Sequence, residues 1–266
     1  IVNTDPLRKF LNDTLHAQNG NLTEIERKLT RGDLKAVAIT TTSYMTGQNI
    51  TWTQGCELQN WQRPNQVSIK TRLTVDHIMA SASIPIFFPA VKIDKHWHGD
   101  GGIRLYAPLS PAIHLGADRI LAISTRYGRS RAEADQPVIL GYPPPAQIAG
   151  VLMNAIFLDL LDQDADRLER TNRLLEKLPE DEREGRRVIK LFILRPSQDL
   201  GRLAAQFEPK LPVLFRTLMR GQGTQTTSSP DWLSMVMFQT DYLSYLVELG
   251  ARDAEAKRTE IEEFFE

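Results

Sequence analysis

The 266 residues are 41% hydrophobic and 24% charged, the usage of an ordinary globular protein with enough chain to bury a core. Thirty-two Lys and Arg stand against 33 Asp and Glu, a net charge of −1, which excludes the cationic surplus of a general nucleic-acid binder. The single cysteine, Cys56, excludes an intramolecular disulfide and a cysteine-rich zinc cage, and points to a reducing, cytoplasmic setting.

Ile1-Val2-Asn3-Thr4-Asp5 carries no signal-peptide pattern. Pro6, followed by Leu7, Phe10, Leu11 and Leu15 at helical spacing with Gly20 as a stop, predicts a first helix; a second runs from Thr23 to Leu29, before Gly32. Lys35 to Thr42 is small, β-branched and flat in polarity, as in a strand buried on both faces. Thr46-Gly47-Gln48-Asn49 supplies a turn, and Ile50 to Thr53 alternates as a returning strand. Thr74 to Ser83 reads as a helix ended by Pro85, and two short strands follow at Phe87–Ile93 and Lys95–His98, then the turn Asp100-Gly101-Gly102.

Pro108 to Leu115 is a short helix closed by Gly116, and Arg119 to Thr125 a further strand. A loop with Pro137 and the run Pro143-Pro144-Pro145 leads into a long helix from Gln147 to about Leu178, and Val188–Leu194 is the last strand. Beyond Leu200 the pattern is helical apart from the polar loop Gly221–Ser229; Pro230 suits a first helical turn with Ser229 as its cap. The apolar stretch Ile148–Leu161, broken by Asn154 and Asp159, is shorter than the ~20 residues a spanning helix needs; it reads as a core helix, with an acyl-pocket lining or a face against a membrane as the alternatives. Strands alternating with helices predict an α/β sandwich with a mostly parallel or mixed sheet, as one domain.

Asp100 stands out among the carboxylates. The glycines Gly101 and Gly102 after it allow a positive φ and a close approach to a neighbour, and the end of a strand is where sites on α/β folds gather. His96-x-His98-x-Asp100 sets three potential ligands on alternate residues of an extended segment, which keeps a metal-dependent hydrolase open; Gly101 follows where a further His would complete a metallo-hydrolase cluster. His114 falls on the short helix, Cys56 reads as a small buried hydrophobe, and Asp162–Arg170 as a solvated helix face.

An ordered set of segments then resembles the patatin-like phospholipase family in its bacterial form. They are Met79-Ala80-Ser81-Ala82-Ser83-Ile84-Pro85-Ile86-Phe87-Phe88-Pro89-Ala90-Val91, the Asp100-Gly101-Gly102 turn, and Pro108-Leu109-Ser110-Pro111-Ala112-Ile113-His114-Leu115-Gly116-Ala117 with the strand Ile120–Ser124. Ala36–Gly47 resembles the strand before that helix, and Asp241–Ala254 the end of bacterial members. The resemblance implies a three-layer α/β/α sandwich with a mixed, mostly parallel sheet. It implies one domain over residues 1–266, with a core of about 1–195 and a helical region of about 196–266.

It also implies a lipid acyl hydrolase working through a Ser–Asp dyad, with Asp100 as general base and Gly101 and Gly102 as its supporting turn. No Gly-x-Ser-x-Gly occurs in the sequence; Ser81 and Ser83 have no flanking glycines and match a structural helix of the family. The nucleophile and the oxyanion loop are therefore expected before the point corresponding to Ile1, and this chain alone is expected to be inactive. No metal or organic cofactor is needed. The expected partners are a lipid or other acyl ester, with peripheral membrane contact, and no nucleic acid. A non-catalytic lipid- or protein-binding domain is the alternative.

Overall fold

The computed structural model describes residues 2–56, 58–85, 87–128, 160–210 and 231–266, with Tyr142, Ile148 and a few neighbours between. The chain divides into two compact units, residues 1–117 and 118–266.

The first unit begins with α1 (Asp5–Thr14) and α2 (Thr23–Arg31). Gly32 closes α2 at φ 81, a left-handed cap that glycine adopts without a Cβ clash. β1 (Ala36–Ser43) and β2 (Asn49–Gly55) form an antiparallel hairpin whose turn closes at Gly47, φ 66. β3 (Gln62–Arg63) and β4 (Gln66–Lys70) follow, then α3 (Val75–Ser81), β5 (Val91–Ile93), β6 (His96–Asp100) and α4 (Ser110–His114). The six strands make one mixed sheet in the order β3-β4-β2-β1-β6-β5, in which β2 and β4 pair in parallel.

Register explains the core. Ile39 faces Trp52 across the β1–β2 pair, Trp52 faces Ile69 across β2–β4, and Val91 faces His98 across β5–β6. With Leu22, Leu73, Val75 and Met79, the apolar members of these pairs form one hydrophobic cluster, and α3 packs on β1, β5 and β6. The opposite face of the central strands carries Thr42, Asn49, Thr51, Thr53 and Ser68, all buried although polar. Two of these side chains bond backbone closely: Ser68 Oγ accepts from the Trp61 N–H at 2.7 Å, and Asn49 Nδ2 donates to the Gly101 carbonyl at 3.0 Å.

In the second unit, β7 (Arg119–Ile123) and β8 (Lys190–Leu194) pair in parallel, and the helices are α5 (Leu160–Leu175), α6 (Leu200–Phe207), α7 (Asp231–Val236), α8 (Thr240–Ala256) and α9 (Arg258–Phe265). Asn172 of α5 acts as a side-chain bridge: its Nδ2 donates to the Ile189 carbonyl at 2.8 Å and its Oδ1 accepts the Ile189 N–H at 3.1 Å. Asp162 accepts from Arg126 and Arg195, beyond the ends of the two strands. Tyr242 of α8 is fully buried, and burial pushes its phenol up to about 12.

The α/β class and the mixed sheet hold. Where a mostly parallel sheet was expected, the described residues carry four antiparallel and two parallel pairings, because turns of two to five residues join β1 to β2, β3 to β4 and β5 to β6. β3 and β4 were not expected from the sequence, although Val67-Ser68-Ile69 alternates after the Pro64-Asn65 turn. Of the long helix, Leu160–Leu175 is described; Ile148, Val151 and Leu152 are exposed, so the core-helix reading fails at those three. Pro137, Pro143–Pro145, Asn154, Asp159 and the Gly221–Pro230 loop and cap lie outside the described residues. Among the described residues, no helix is long and apolar enough to cross a membrane.

Candidate active site

β1, β6 and α3 position Asp100. Thr41 sits opposite it in the β1–β6 register. The Asp100 N–H donates to the Ser83 carbonyl just past α3 at 3.0 Å, and the Asp100 carbonyl accepts from Thr42 Oγ1 at 2.8 Å. The backbone on either side of the carboxylate is thereby tied to two elements that lie far from it in sequence.

The glycines after it act differently from expectation. Neither Gly101 nor Gly102 takes a positive φ; both lie in a single 3-10 turn, Gly101–Arg104, that Asp100 caps. What Gly101 provides is room: a Cβ there would lie 2.6 Å from the Thr40 carbonyl carbon, so only a hydrogen lets the turn lie against β1. Gly102 serves through its amide, donating to Asp100 Oδ1 at 2.7 Å.

Burial pushes the Asp100 carboxyl up to about 6, and the Gly102 hydrogen bond opposes part of that rise. A carboxylate of this basicity is still ionised at neutral pH yet accepts a proton far more readily than an ordinary aspartate, which suits a general base.

His96 and His98 take different roles from Asp100 even though the register puts all three on one sheet face. His96 is exposed. His98 is buried, with Nδ1 3.2 Å from Thr41 Oγ1, which itself accepts from Trp52 Nε1 at 2.8 Å. His77, at the start of α3, stands edge-on to the same Trp52 ring, 4.9 Å between centroids. Burial lowers the pKa of both His77 and His98, so each is held as a neutral ring. Among the described residues, no group of three or more His, Cys, Asp or Glu is placed to hold a metal ion.

The remaining candidates also fall into place. Ser83 Oγ donates to the Met79 carbonyl at 2.6 Å, inside the helix end and turned to its own backbone. His114 stacks on Trp61, 4.6 Å between ring centroids, and holds the Ser110 carbonyl through Nδ1. Cys56 is exposed, correcting its reading as a buried hydrophobe: it lies one residue past the end of β2, where the chain leaves the sheet. It lines a cavity of about 650 Å³ with Leu29, Leu34, Lys35, Leu58 and Leu115, beside the first residue of β1 and so at the strand end away from Asp100.

Two residues that anchor the Asp100-Gly101 backbone carried little signal in the sequence. Thr42 and Asn49 hold the carbonyls of Asp100 and Gly101, and their only signal was the unusual polarity of otherwise strand-like runs. Tyr44 was missed as well: its ring lies across Gly99, where a Cβ would stand 2.5 Å from Cζ, and the nearby Asp100 charge adds to burial in raising its pKa.

Residues 1–113 match the family model described as patatin-like phospholipase, a family of lipid acyl hydrolases. The matched stretch contains β1, α3, β6 and Asp100, so the resemblance read from the Met79–Gly102 segments is borne out there. No curated protein matches the chain.

Proposed function

We propose that this chain supplies the general-base side of a lipid acyl hydrolase, with the nucleophilic serine in a Gly-x-Ser-x-Gly segment outside these 266 residues. Asp100 takes the serine proton as the hydroxyl oxygen attacks the ester carbonyl. The tetrahedral intermediate collapses to an acyl-serine, and the alcohol leaves with the proton that Asp100 returns. Water, deprotonated by the same carboxylate, then attacks the acyl-serine; the acid is released as Asp100 returns the proton to the departing serine oxygen. No metal or organic cofactor enters these steps. Both compact units are taken as parts of one such domain, with Ile120–Ser124 and Asp241–Ala254 as its later elements.

The observation that carries the reading is Asp100 itself: a carboxyl pushed up to about 6, with its backbone anchored by Ser83 and Thr42, inside the stretch that matches a phospholipase family. In a protein that includes the serine segment, Asp100→Asn keeps the shape and the Gly102 bond but removes the base. Ester hydrolysis is expected to fall by roughly a thousandfold, and near-normal turnover of the variant would sink the dyad. Residues 1–266 alone are expected to show no turnover.

The second reading, a non-catalytic lipid- or protein-binding domain, is favoured by the lack of a Gly-x-Ser-x-Gly in the sequence. Reading the coding sequence upstream of Ile1 separates the two. A Gly-x-Ser-x-Gly encoded there supports the hydrolase, and its absence supports the binding domain.

A further inference from the structure

One end of the six-stranded sheet carries large apolar side chains where turns usually carry small polar ones. The β1–β2 and β5–β6 hairpins both turn at this end, since β1 and β6 are antiparallel and Ser43 pairs with His98. The Tyr44 N–H donates to the Trp97 carbonyl at 2.9 Å, which fixes the two hairpins side by side. Tyr44, Met45 and Trp97 are 46%, 64% and 48% exposed. Arg104 reaches the same turn, its guanidinium 4.0 Å from where a Gly47 Cβ would lie, and stands over the Tyr106 ring, which is 53% exposed. Gly99 belongs to the same construction, because its missing side chain is what lets the Tyr44 ring lie flat on β6.

The charge around this apolar group is mainly positive, although the Asp100 charge also reaches Tyr44. The segments 44–47, 61–66, 92–98 and 101–106 contain the cations Arg63, Lys92, Lys95 and Arg104 and a single carboxylate, Asp94, in a chain whose net charge is −1. Arg63 comes to this end because β3 and β4 also turn here, with Asn65 accepting from the Asn49 N–H. Trp and Tyr, with an apolar ring and a polar tip, settle at the headgroup level of a bilayer, and lysine and arginine beside them are drawn to anionic lipid.

We propose that this sheet end docks on an anionic lipid surface. The choice of lipid as occupant rests on the acyl-hydrolase reading. The docking deepens that reading by saying how an ester reaches the site: Asp100 lies three residues along the sheet from Tyr44, about 10 Å, so a docked sheet end sets the carboxylate just behind the headgroup plane. Apolar insertion by Trp97 and Met45 supplies the hold, and the four cations select anionic over zwitterionic membranes.

Co-sedimentation of the full chain with phosphatidylcholine vesicles, with and without about 30 mol% phosphatidylglycerol, tests this. The chain is expected to bind the anionic vesicles and to leave them at about 0.5 M salt, where the Debye length is only a few ångströms. Lys92→Glu with Lys95→Glu is expected to weaken binding at least about tenfold, and Trp97→Ser by a similar factor. Met45→Ser, at an open hairpin tip, gives a second apolar variant should Trp97→Ser unfold. Phe10→Ser, on the exposed side of α1, is expected to bind as the unaltered chain does.

Vesicle binding is read on residues 1–266, which are expected to show no turnover, so failure of the dyad leaves this result standing. Three outcomes would overturn the docking: no binding to anionic vesicles, equal binding by the Trp97 and Met45 variants, or self-association lost in Trp97→Ser without vesicle binding.

Discussion

Asp100 carries an ionisable group that the fold makes costly to ionise. Its folded-state pKa, about 6, lies above its ordinary value of 3.8, so between those limits the folded chain holds more protons than the unfolded one. Stability is then greatest below the ordinary value and falls as pH rises through the folded value, by up to about 3 kcal/mol. Asp100→Asn, which cannot ionise and can still accept from Gly102, is expected to raise urea stability at pH 7.5 by an amount approaching that figure and to change nothing near pH 4. An aspartate that merely capped its turn would give no such gain at pH 7.5. Gly101 is sensitive for a steric reason: Gly101→Ala forces a Cβ against the Thr40 backbone carbonyl, which cannot swing aside as a side chain would, and is expected to cost about 2–4 kcal/mol in denaturant titrations. The family-like Asp-Gly-Gly was plain in the sequence, but the use made of its glycines was not. A positive φ is suggested by residue type alone, whereas a close approach depends on what lies opposite, here a strand sixty residues earlier.

The helix that sets the Asp100 backbone begins with a cap of an uncommon kind. His77 Nδ1 accepts from the Thr74 N–H at 3.1 Å and stands 2.8 Å from Thr74 Oγ1, taking the place that a Glu or Gln usually fills in a capping box. Thr74→Val keeps the volume and removes the hydroxyl, so chemical denaturation should report a loss of about 1 kcal/mol. α1, α2, α3, β1 and β2 were legible because their signals are local: helical spacing, Gly32 as a stop, Thr46-Gly47 as a turn. β3 and β4 were not, since the five-residue β4 exists by pairing with β2 and the two-residue edge strand β3 by pairing with β4, and pairing across a sheet has no local signature. The same limit hid the sense of the pairings. Strand identity follows from composition, but parallel or antiparallel sense follows from whether a short turn or a crossover joins the partners.

At the scale of the molecule, two compact units carry different kinds of order. Residues 1–117 hold the mixed sheet, the anchored aspartate and the match to patatin-like phospholipase through residue 113, while residues 118–266 hold a parallel strand pair and helices clamped by Asn172 and Asp162. Neither the even charge balance nor the composition distinguishes the units or hints that one end of the sheet concentrates Tyr44, Met45, Trp97 and four cations. Those residues come from four separate segments, each unremarkable alone. By itself the sequence determined the α/β class, most element positions, the family resemblance and the Asp100-Gly101-Gly102 turn as a candidate site. These follow from periodicity, turn chemistry and ordered motifs, which neighbours along the chain suffice to encode. Only the tertiary structure decided that Thr42, 58 positions away, holds the Asp100 carbonyl, that His98 turns to Thr41 and so away from a shared metal site, and that burial makes the carboxylate basic. Desolvation and hydrogen-bond partnership are properties of the space around a side chain, and that space is filled by residues distant in the chain.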